Sequence, residues 1–424
     1  MNTFYQAFDL ETLGQAKRPE DYRSPFQIDR DRILHTSAFR SLQSKTQVFL
    51  AGEYDFYRTR LTHSIEVAQI GRSLCQFLKQ RSSDLAQDHF IDPDLVEAIC
   101  LAHDLGHPPF GHVGERTLNQ LLAQHGGFEG NAQTLRLLTS TLYQGTRGIQ
   151  PTRALLDGVL KYKTLRAELL REGAAPPANH FLYDEQASDL DFALGDQAFP
   201  PDYTPGPSRN AFRSIECQLM DWADDTAYSI HDLTDGVKAG FLTIERIERW
   251  AAGQDLAPTQ SHALERLLAS IREGKLEARL GRRIGDFIQA VSLADESNFL
   301  TAQTQRYRYR LAIQPEIEVE CRLYKAIATD LIFKSRELQQ LLDFKAARLL
   351  GQLWEPLWAN YLGSEQPEYQ LLTPHHHRLL VEADTEASKA RRLADALAEL
   401  TDRRALKMHR RLFDTDFASL TDLG

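Results

Sequence analysis

The chain has 424 residues, of which 42% are hydrophobic and 25% charged, and its formal net charge at pH 7 is −10. This composition is that of a soluble globular protein with one large or two ordinary domains. The negative balance disfavours a dedicated nucleic-acid or membrane-surface protein, although it allows a local basic patch. No apolar run is long enough to span a bilayer, and the opening MNTFYQAFDLETLGQ is too polar for a signal peptide. The four widely spaced cysteines predict buried free thiols and a cytoplasmic protein.

Helical periodicity dominates the chain, and it predicts four helices before residue 240. DPDLVEAICLAHDLG begins with Asp92 as N-cap and Pro93 in the first turn, and it ends before Gly106 and two prolines. VGERTLNQLLAQHGG and SIECQLMDWADDTAYSIHDLTDG predict two further helices. An earlier helix, HSIEVAQIGRSLCQFLKQ, is amphipathic and places on one face Ile65, Ala68, Leu74, Cys75 and Leu78.

Strand signals are few, and the best of them, KTQVFL, is short enough for a hairpin arm or a helix end. Residues 172–210 are rich in Pro, Gly, Asp and Ala and predict a long irregular excursion, either a functional lid or a poorly ordered loop. From about residue 241 the pattern is helical again. We therefore predict an all-α protein with at most a minor β-hairpin, in which a helical region 241–424 packs on residues 1–240.

The segment AICLAHDLGHPPFGHVGE carries three histidines and an aspartate at the end of a predicted helix. Polar side chains of this kind are costly to bury unless something binds them. Adjacent helical residues point about 100° apart, yet His103 and Asp104 can converge on one ion that lies beside the helix end. An imidazole with a carboxylate suits Mn, Fe, Zn or Ni and tolerates Mg. The alternative is a chance pair on the surface.

Two other helices carry candidate ligands. His63 lies in the first turn of its helix, where it is either a solvated cap or a ligand. The SIECQLMDWADDTAYSIHDLTDG helix has an acidic face, which is normally solvated, but so many carboxylates repel one another unless a cation is near. Spacing alone does not identify a ligand among Asp221, Asp224, Asp225, Asp232 and Asp235.

Five blocks of sequence in order resemble one known family. They are RSPFQIDRDRILHTSAFRSLQSKTQVF, RTRLTHSIEVAQIGR, LAHDLGHPPFGHVGE, GFEGNAQTLR and ECQLMDWADDTAYSIHDLTDG. The order His, His-Asp, Asp is similar to the signature of the HD superfamily of metal-dependent phosphohydrolases, and the blocks resemble the deoxyguanosine triphosphate triphosphohydrolase family of bacterial dNTPases. The resemblance covers roughly residues 22–240 and continues more faintly beyond them. It implies an HD-domain helical bundle with a helical C-terminal extension.

The resemblance also implies a metal site and a reaction. The family's metal ligands fall on His63, His103, Asp104 and Asp224, for Mn or Mg first and for Fe, Ni, Zn or Co as alternatives. The family splits a dNTP at its α-phosphate and releases a deoxynucleoside and intact triphosphate. The leaving 5′ oxygen needs a proton, and His112 fits as the general acid, with Glu115 three residues later orienting its imidazole. The alternative is that His112 merely caps the helix that begins near Val113.

The family's contacts to phosphate also have counterparts in this sequence. His107 lies four residues after His103, and it is either a phosphate contact or a structural histidine in a Gly/Pro turn. Arg60, three residues before His63, matches the family's placement of a guanidinium for phosphate oxygens. Lys161 and Tyr162 resemble a family LKY segment that touches triphosphate or sugar, although Lys163 stands where the family usually has proline.

The sugar contacts come from two other segments. Gln47 stands where the family reads the deoxyribose, and its amide can hydrogen-bond a 3′ hydroxyl. The resemblance places Tyr228 and Asp232 against the phosphate and sugar. A close aromatic ring such as Tyr228 beneath C2′ would exclude a ribose hydroxyl and so explain deoxy specificity.

Partners and rival functions follow from the same sequence. The resemblance implies a dNTP substrate, a homo-oligomer of at least two subunits and a second dNTP as a candidate effector. An HD phosphohydrolase of another nucleotide would have the same metal site. The stretch QRYRYRL, Gln305 to Leu311, could stack on bases, which would favour a nucleotide-sensing or single-stranded-DNA-binding protein. A surface strand or helix face with paired charges is the alternative for that stretch.

Overall fold

The computed structural model describes residues 2–14, 21–47, 58–144, 148–334 and 339–415, and most of its regular structure is helical. The first twelve helices are α1 Ala7–Leu10, α2 Pro25–Leu34, α3 Ser37–Ser41, α4 Arg60–Arg81, α5 Pro93–Ala102, α6 Gly111–Leu121, α7 Gly130–Arg136, α8 Arg153–Val159, α9 Arg166–Leu169, α10 Ala187–Leu194, α11 Pro207–Asn210 and α12 Ile215–Lys238. They are followed by α13 Ile244–Ala251, α14 Pro258–Arg272, α15 Leu276–Gln289, α16 Pro315–Ala328, α17 Gln339–Tyr361, α18 Pro374–Val381, α19 Glu386–Ala398 and α20 Asp402–Phe413. The described strands, β1 Val291–Asp295 and β2 Tyr309–Ile313, pair antiparallel with Val291 opposite Ile313.

The predicted all-α fold with a minor hairpin is confirmed, but the hairpin lies elsewhere than the strand signal indicated. Residues 45–47 of KTQVFL form no strand, and 48–50 lie outside the described residues. The second strand belongs instead to the RYRYR stretch, with Tyr309 and Leu311 buried and Arg310 exposed. Arg306 in the same stretch is 0% exposed and is paired with carboxylates inside the protein. Arg306 is therefore not available to a nucleic acid.

The larger hydrophobic core surrounds the long helices α4, α5 and α12. Leucine, isoleucine and valine side chains of these helices interlock, and the cluster extends across residue 240 as far as Ile332. The division of the chain at residue 240 stays a prediction. Ile65 was expected in this core and is instead 50% exposed. At about 100° per residue it points roughly 200° away from His63, on the solvent side of α4.

A second core joins α6 to the C-terminal helices. Leu118 and Leu122, from the end of α6, pack with a group of buried residues on α17 and α19 that comprises Leu350, Leu353, Leu357, Leu393 and Leu397. Phe110, which precedes α6, belongs to the same cluster. Because α6 begins shortly after the segment that carries His103, Asp104 and His107, this core brings the C-terminal region close to that segment.

The excursion 172–210 differs from its prediction, because it contains the short helices α10 and α11. The inner face of α10 is buried against the body of the protein, and Gly195 ends the helix in a left-handed conformation with φ of 64°. The sequence pattern concealed α10, since only two turns of periodic residues lie among many turn-forming ones.

Two further expectations concern cysteines and membranes. All four cysteines are free and buried, as predicted. Among the helices in the described part of the chain, none combines the length and the apolar character that crossing a bilayer requires.

Candidate metal and catalytic site

The loop between α5 and α6 gathers most of the candidate residues. It begins where α5 ends at His103, and it passes so close to α7 that a Cβ on Gly106 would lie 2.2 Å from the Gly130 carbonyl oxygen. Only glycine fits this approach. The loop then turns through Phe110 and Gly111, both with positive φ, into α6. The N-cap of α6 is Phe110, so His112 lies inside the helix and is not its cap.

Three of the four predicted metal ligands meet in one place. Ligand atoms of His63, His103 and Asp224 all lie within 4.8 Å of one another, so this group could hold a metal ion. The Nε2 atom of His63 is 3.0 Å from Asp224 Oδ1, and His103 Nε2 is 3.9 Å from the same oxygen. The side chains come from α4, from the end of α5 and from α12, three separate elements that the main core holds together.

His103 has the hydrogen-bonding pattern of a metal ligand. Its Nδ1 lies 2.6 Å from the Cys100 carbonyl oxygen and donates a hydrogen bond to it. The Nε2 atom therefore keeps its lone pair, and although it is buried it has no hydrogen-bond partner in the part of the chain that the structure describes. A buried ring nitrogen without a partner is costly unless something binds it. Histidine ligands commonly bind metal with one nitrogen while the other donates to a carbonyl, so these residues fit a divalent cation.

Asp104, the fourth predicted ligand, borders the same group. Its Oδ1 lies 3.6 Å from His103 Nε2 and 3.0 Å from His107 Nδ1. Its Oδ2 accepts a 2.7 Å hydrogen bond from Arg60 Nη1. Arg60, predicted as a phosphate contact, is therefore buried and held by Asp104, while its Nη2 makes no hydrogen bond to the described residues and lies beside Gly111.

The protonation of these groups suits a cation. Burial acts to raise the pKa of Asp104, but Arg60 and the neighbouring imidazoles outweigh it and hold the pKa well below its usual range. Burial also acts to raise the pKa of Asp224, which the hydrogen bond to His63 and the nearby imidazoles lower instead. Both carboxylates are therefore negatively charged at neutral pH.

The acidic face of α12 is neutralised by cations from distant parts of the chain. Lys161 Nζ lies 2.7 Å from Asp221 Oδ1, and Lys325 Nζ lies 2.5 Å from Asp225 Oδ1. Asp232 forms no such ion pair with the described residues. It is buried, one of its oxygens makes no hydrogen bond to those residues, and burial raises its pKa to about 8. Asp232 is thus a group that a substrate hydroxyl could satisfy.

The predicted acid and its orienting carboxylate are in contact. His112 Nδ1 lies 3.1 Å from Glu115 Oε2, and the other Glu115 oxygen accepts a 2.7 Å hydrogen bond from the Gly130 N–H. The His112 side chain is 66% exposed, and its ring centroid lies 5.5 Å from that of His107. Burial acts to raise the pKa of Glu115, but His112 and His107 lower it to about 2. Together with His107 this pair forms a second group whose atoms could hold a metal.

The remaining predicted substrate contacts are Gln47, Lys161, Tyr162 and Tyr228. The amide oxygen of Gln47 is buried and has no hydrogen-bond partner among the described residues. Lys161 is close enough to lower the pKa of Asp224, after the larger effects of burial and the imidazoles. The Tyr162 ring lies 4.5 Å from the ring of His180 in the excursion, and the Tyr228 ring stacks on Phe333 at 5.7 Å.

Lys163, which replaces the proline expected after Tyr162, uses groups that proline lacks. Its N–H donates to Asn210 Oδ1 at 2.8 Å, and its fully buried Nζ lies 3.1 Å from Asp157 Oδ1. Asp157 is shared with Arg306, whose guanidinium lies 3.1 Å from the other carboxylate oxygen. The lysine is therefore anchored from two sides.

Sequence reasoning missed the residues that support the site from elsewhere. His180 lies against Tyr162 with a positive φ of 66°, and no local pattern indicates this position. Lys45 and Asp402 join the site to the C-terminal region. A lone lysine and an aspartate at the start of a helix carry no signal of such a contact, because their partners are far away in the chain.

Comparison with known proteins agrees with the fold. The family model described as HD domain matches residues 60–143, and a phosphohydrolase-associated domain matches 311–411. The helical bundle with its His, His-Asp and Asp groups thus defines an HD-domain protein. Relatives extend over almost the whole chain. A deoxyguanosinetriphosphate triphosphohydrolase-like protein of Shewanella loihica is 35% identical over 97% of this chain and 98% of its own length.

Two other relatives support the same assignment. Proteins of the same name from Shewanella halifaxensis and Vibrio campbellii are each 32% identical, over 97% and 96% of this chain and 97% and 98% of their own lengths. The chain belongs to the family of deoxyguanosinetriphosphate triphosphohydrolase-like proteins within the HD superfamily.

Proposed function

We propose that this chain hydrolyses deoxynucleoside triphosphates to a deoxynucleoside and inorganic triphosphate, with a divalent metal as cofactor. The observation that carries the proposal is the buried Nε2 of His103, which has no hydrogen-bond partner among the residues that the structure describes and lies 3.6 and 3.9 Å from oxygens of Asp104 and Asp224. A nitrogen kept free between carboxylates suits a cation. The names of the relatives favour a deoxynucleoside triphosphate as the substrate, with dGTP first.

The proposed metal ligands are His63, His103, Asp104 and Asp224, with Mn²⁺ or Mg²⁺ as the first candidates and Fe, Ni, Zn or Co as alternatives. A divalent metal bound there neutralises charge on the α-phosphate and makes a water molecule more acidic. Arg60 holds Asp104 in place through Nη1. Its Nη2 remains for a phosphate oxygen.

In the proposed reaction water adds to the α-phosphorus and the bond between that phosphorus and the 5′ oxygen breaks. His112 gives a proton to the leaving oxygen, which departs as the hydroxyl of the deoxynucleoside. Its exposed ring can reach a bound nucleotide, and Glu115 keeps the ring oriented through the 3.1 Å contact. Because Glu115 is charged at neutral pH, it also stabilises the positive charge of a protonated imidazole.

The other proposed contacts divide between the triphosphate and the sugar. Lys161, Tyr162 and His107 would bind phosphate oxygens. The amide of Gln47 and the carboxyl group of Asp232 each have a buried oxygen without a partner, which favours hydrogen bonds to sugar hydroxyl groups. Tyr228, one helical turn before Asp232 on α12, would pack against the deoxyribose.

Product analysis tests this function. Each dNTP and each ribonucleotide is incubated with the protein and Mn²⁺ or Mg²⁺, and products are separated by ion-exchange chromatography. Deoxynucleoside with tripolyphosphate is the expected result. Monophosphate with pyrophosphate, or no turnover, would contradict the proposal. H112A is expected to retain metal and lose turnover, whereas H103A should lose both.

The same assay separates the rival function, an HD phosphohydrolase of another nucleotide, which would prefer a different substrate with the same metal dependence. The burial of Arg306 weakens the case for single-stranded DNA binding. A homo-oligomer, a dNTP effector and a cytoplasmic location stay predictions.

A further inference from the structure

We infer that Asp402, the first residue of α20, is a positioning residue that holds Gln47 and His112 in place from the C-terminal region. The inference rests on the function proposed above. The Asp402 side chain is 4% exposed and uses both oxygens. Its Oδ2 accepts hydrogen bonds from the N–H and hydroxyl groups of Thr46 at 3.0 and 2.5 Å, and its Oδ1 accepts one from the Phe110 N–H at 2.9 Å.

These hydrogen bonds join two segments that meet only in the folded protein. Thr46 directly precedes Gln47, the proposed sugar contact. Phe110 lies two residues before His112, the proposed acid, and has a left-handed backbone with φ of 65°. A bulky residue in this conformation is strained and persists only where its surroundings hold it. One carboxylate therefore sets the spacing between the segment of Gln47 and the start of α6.

The network continues from Asp402 to a proposed metal ligand. The carbonyl oxygen of Thr46 accepts a 3.0 Å hydrogen bond from Arg60 Nε, and Arg60 Nη1 donates to Asp104 Oδ2. Thr46 is thus held from one side by Asp402 and from the other by Arg60. Displacement of Thr46 would move Gln47 directly and would disturb the arginine that orients Asp104.

A second link runs parallel to the first. The buried ammonium group of Lys45 donates to the His107 carbonyl oxygen at 2.6 Å and to the Ala398 carbonyl oxygen at 2.9 Å. It therefore connects the end of α19 with the loop between α5 and α6, at a position four residues before Gly111. Two adjacent residues, Lys45 and Thr46, are both fastened to the C-terminal region, so that region contributes to the geometry of the site.

The D402N variant tests the inference because an amide cannot replace both oxygens. Its NH₂ group would face the N–H of either Thr46 or Phe110, so one segment loses its acceptor. We expect kcat/KM for the best dNTP to fall about 10- to 100-fold, since small misplacements of reacting groups have effects of this size. T46V, which removes only the hydroxyl hydrogen bond, should have a smaller effect in the same direction and serves if D402N fails to fold.

A double-mutant cycle distinguishes positioning from general support. The ratio of kcat/KM for the dNTP to that for its 2′,3′-dideoxy analogue measures recognition of the 3′ hydroxyl. Q47A should reduce this ratio in the wild-type background and reduce it much less in the D402N background, because Gln47 is already displaced there. Independent, multiplicative effects of the two substitutions would overturn the inference.

Asp395 supplies the matched control. It is a buried aspartate on α19 that accepts hydrogen bonds from Arg136 and Gln133 on α7, and it touches neither Thr46 nor Phe110. D395N should lower the melting temperature and leave kcat and KM unchanged well below it. D402N with wild-type kinetics would contradict the inference even if its melting temperature falls.

Hydrogen exchange gives a readout that needs no activity. In D402N the amides of residues 45–47 and 107–112 should exchange faster than in D395N and wild type. Unchanged exchange there would overturn the inference whatever the substrate is. If wild-type protein releases no tripolyphosphate while the exchange result holds, the proposed function fails and the link through Asp402 stands.

Discussion

Glu115 joins the proposed acid to the start of α7. One oxygen contacts His112, and the other accepts the N–H of Gly130 at the start of α7. A Cβ at Gly130 would lie 3.1 Å from Glu115 Oε1, so a larger residue there would require Glu115 to shift by a few tenths of an ångström. The resemblance to the family predicted the pairing of His112 with Glu115, and the spacing of three residues allows it. The Gly130 contact was not predictable, because it depends on how α7 packs.

The E115Q variant tests the role of this carboxylate. A glutamine has one acceptor oxygen where the carboxylate has two, so it cannot accept from both His112 and the Gly130 N–H. It also removes the negative charge that stabilises the protonated imidazole. We expect kcat to fall about 10- to 100-fold and the alkaline limb of the pH–rate profile to move to lower pH, because the acid loses its proton more easily. Both are measured by steady-state kinetics between pH 6 and 9.

The H112A background provides the control for E115Q. If Glu115 acts through His112, adding E115Q to H112A changes kcat little, and metal content measured by elemental analysis stays that of wild type. A large additional loss of kcat in the double variant would mean that Glu115 acts on the reaction by another route.

At the scale of elements, α12 shows what the sequence could and could not predict. Its period of apolar residues predicted the helix, which spans Ile215–Lys238. The sequence could not say which aspartate faces the site, since the cations that neutralise the others come from residues as distant as Lys161 and Lys325. Ile65 was assigned to the wrong face of α4 for a related reason. Apolar residues lie on more than one side of this helix, so their spacing does not determine which side is buried.

The close contact between Gly106, in the loop from α5 to α6, and helix α7 is a second feature that the sequence could not predict. The G106A variant tests it. The new methyl group would lie 2.2 Å from the Gly130 carbonyl oxygen and 2.3 Å from the Thr134 nitrogen, so the two backbones must separate. We expect the free energy of unfolding to fall by about 2 kcal/mol or more. Turnover should fall as well, since Gly130 moves away from Glu115. Urea denaturation and product release measure the two effects.

Gly285 in α15 is the control for this prediction. A Cβ there meets no atom within 4 Å. Alanine is the better helix former, so G285A should raise the free energy of unfolding by up to about 1 kcal/mol without changing turnover. Equal losses of stability in G106A and G285A would contradict the argument from close approach.

At the scale of the whole molecule, two separate hydrophobic cores supply elements of the candidate site. The larger surrounds α4, α5 and α12, and the smaller joins α6 to the C-terminal helices. The sequence predicted that the C-terminal region is helical and packs on the rest. It could not predict that α6 belongs to the smaller core, because this depends on contacts between residues more than 200 positions apart.

Global stability should depend on pH through Asp29. This residue of α2 is 1% exposed, and its carboxyl group accepts hydrogen bonds from the N–H and hydroxyl groups of Thr152. Burial raises its pKa to about 7, against the effect of these hydrogen bonds. Because the pKa of Asp29 is raised in the folded state, its neutral carboxyl group contributes its full stabilisation at pH values below the unfolded-state pKa near 4. This contribution is lost as the pH rises through the folded-state pKa of about 7.

The D29N variant removes this contribution. Wild type should lose stability between pH 5 and pH 8 that D29N keeps. The free energy of unfolding of D29N minus that of wild type should therefore rise by about 2 to 3 kcal/mol over this range. Urea denaturation of both proteins at the two pH values measures the change. D191N, on the exposed side of α10, is the control and should keep a constant difference from wild type. A D29N difference that is equally constant would refute the prediction.

The anchoring of Lys163 restricts how the sequence can evolve. Lys163 and Arg306 are the two buried cations among three buried acids, Asp9, Asp157 and Glu216. A lineage that acquires proline at position 163 is left with three carboxyl groups around one guanidinium, and Asn210 loses an N–H donor. Such a lineage must also replace one of the acids, so residues 157 and 163 are expected to change together during descent.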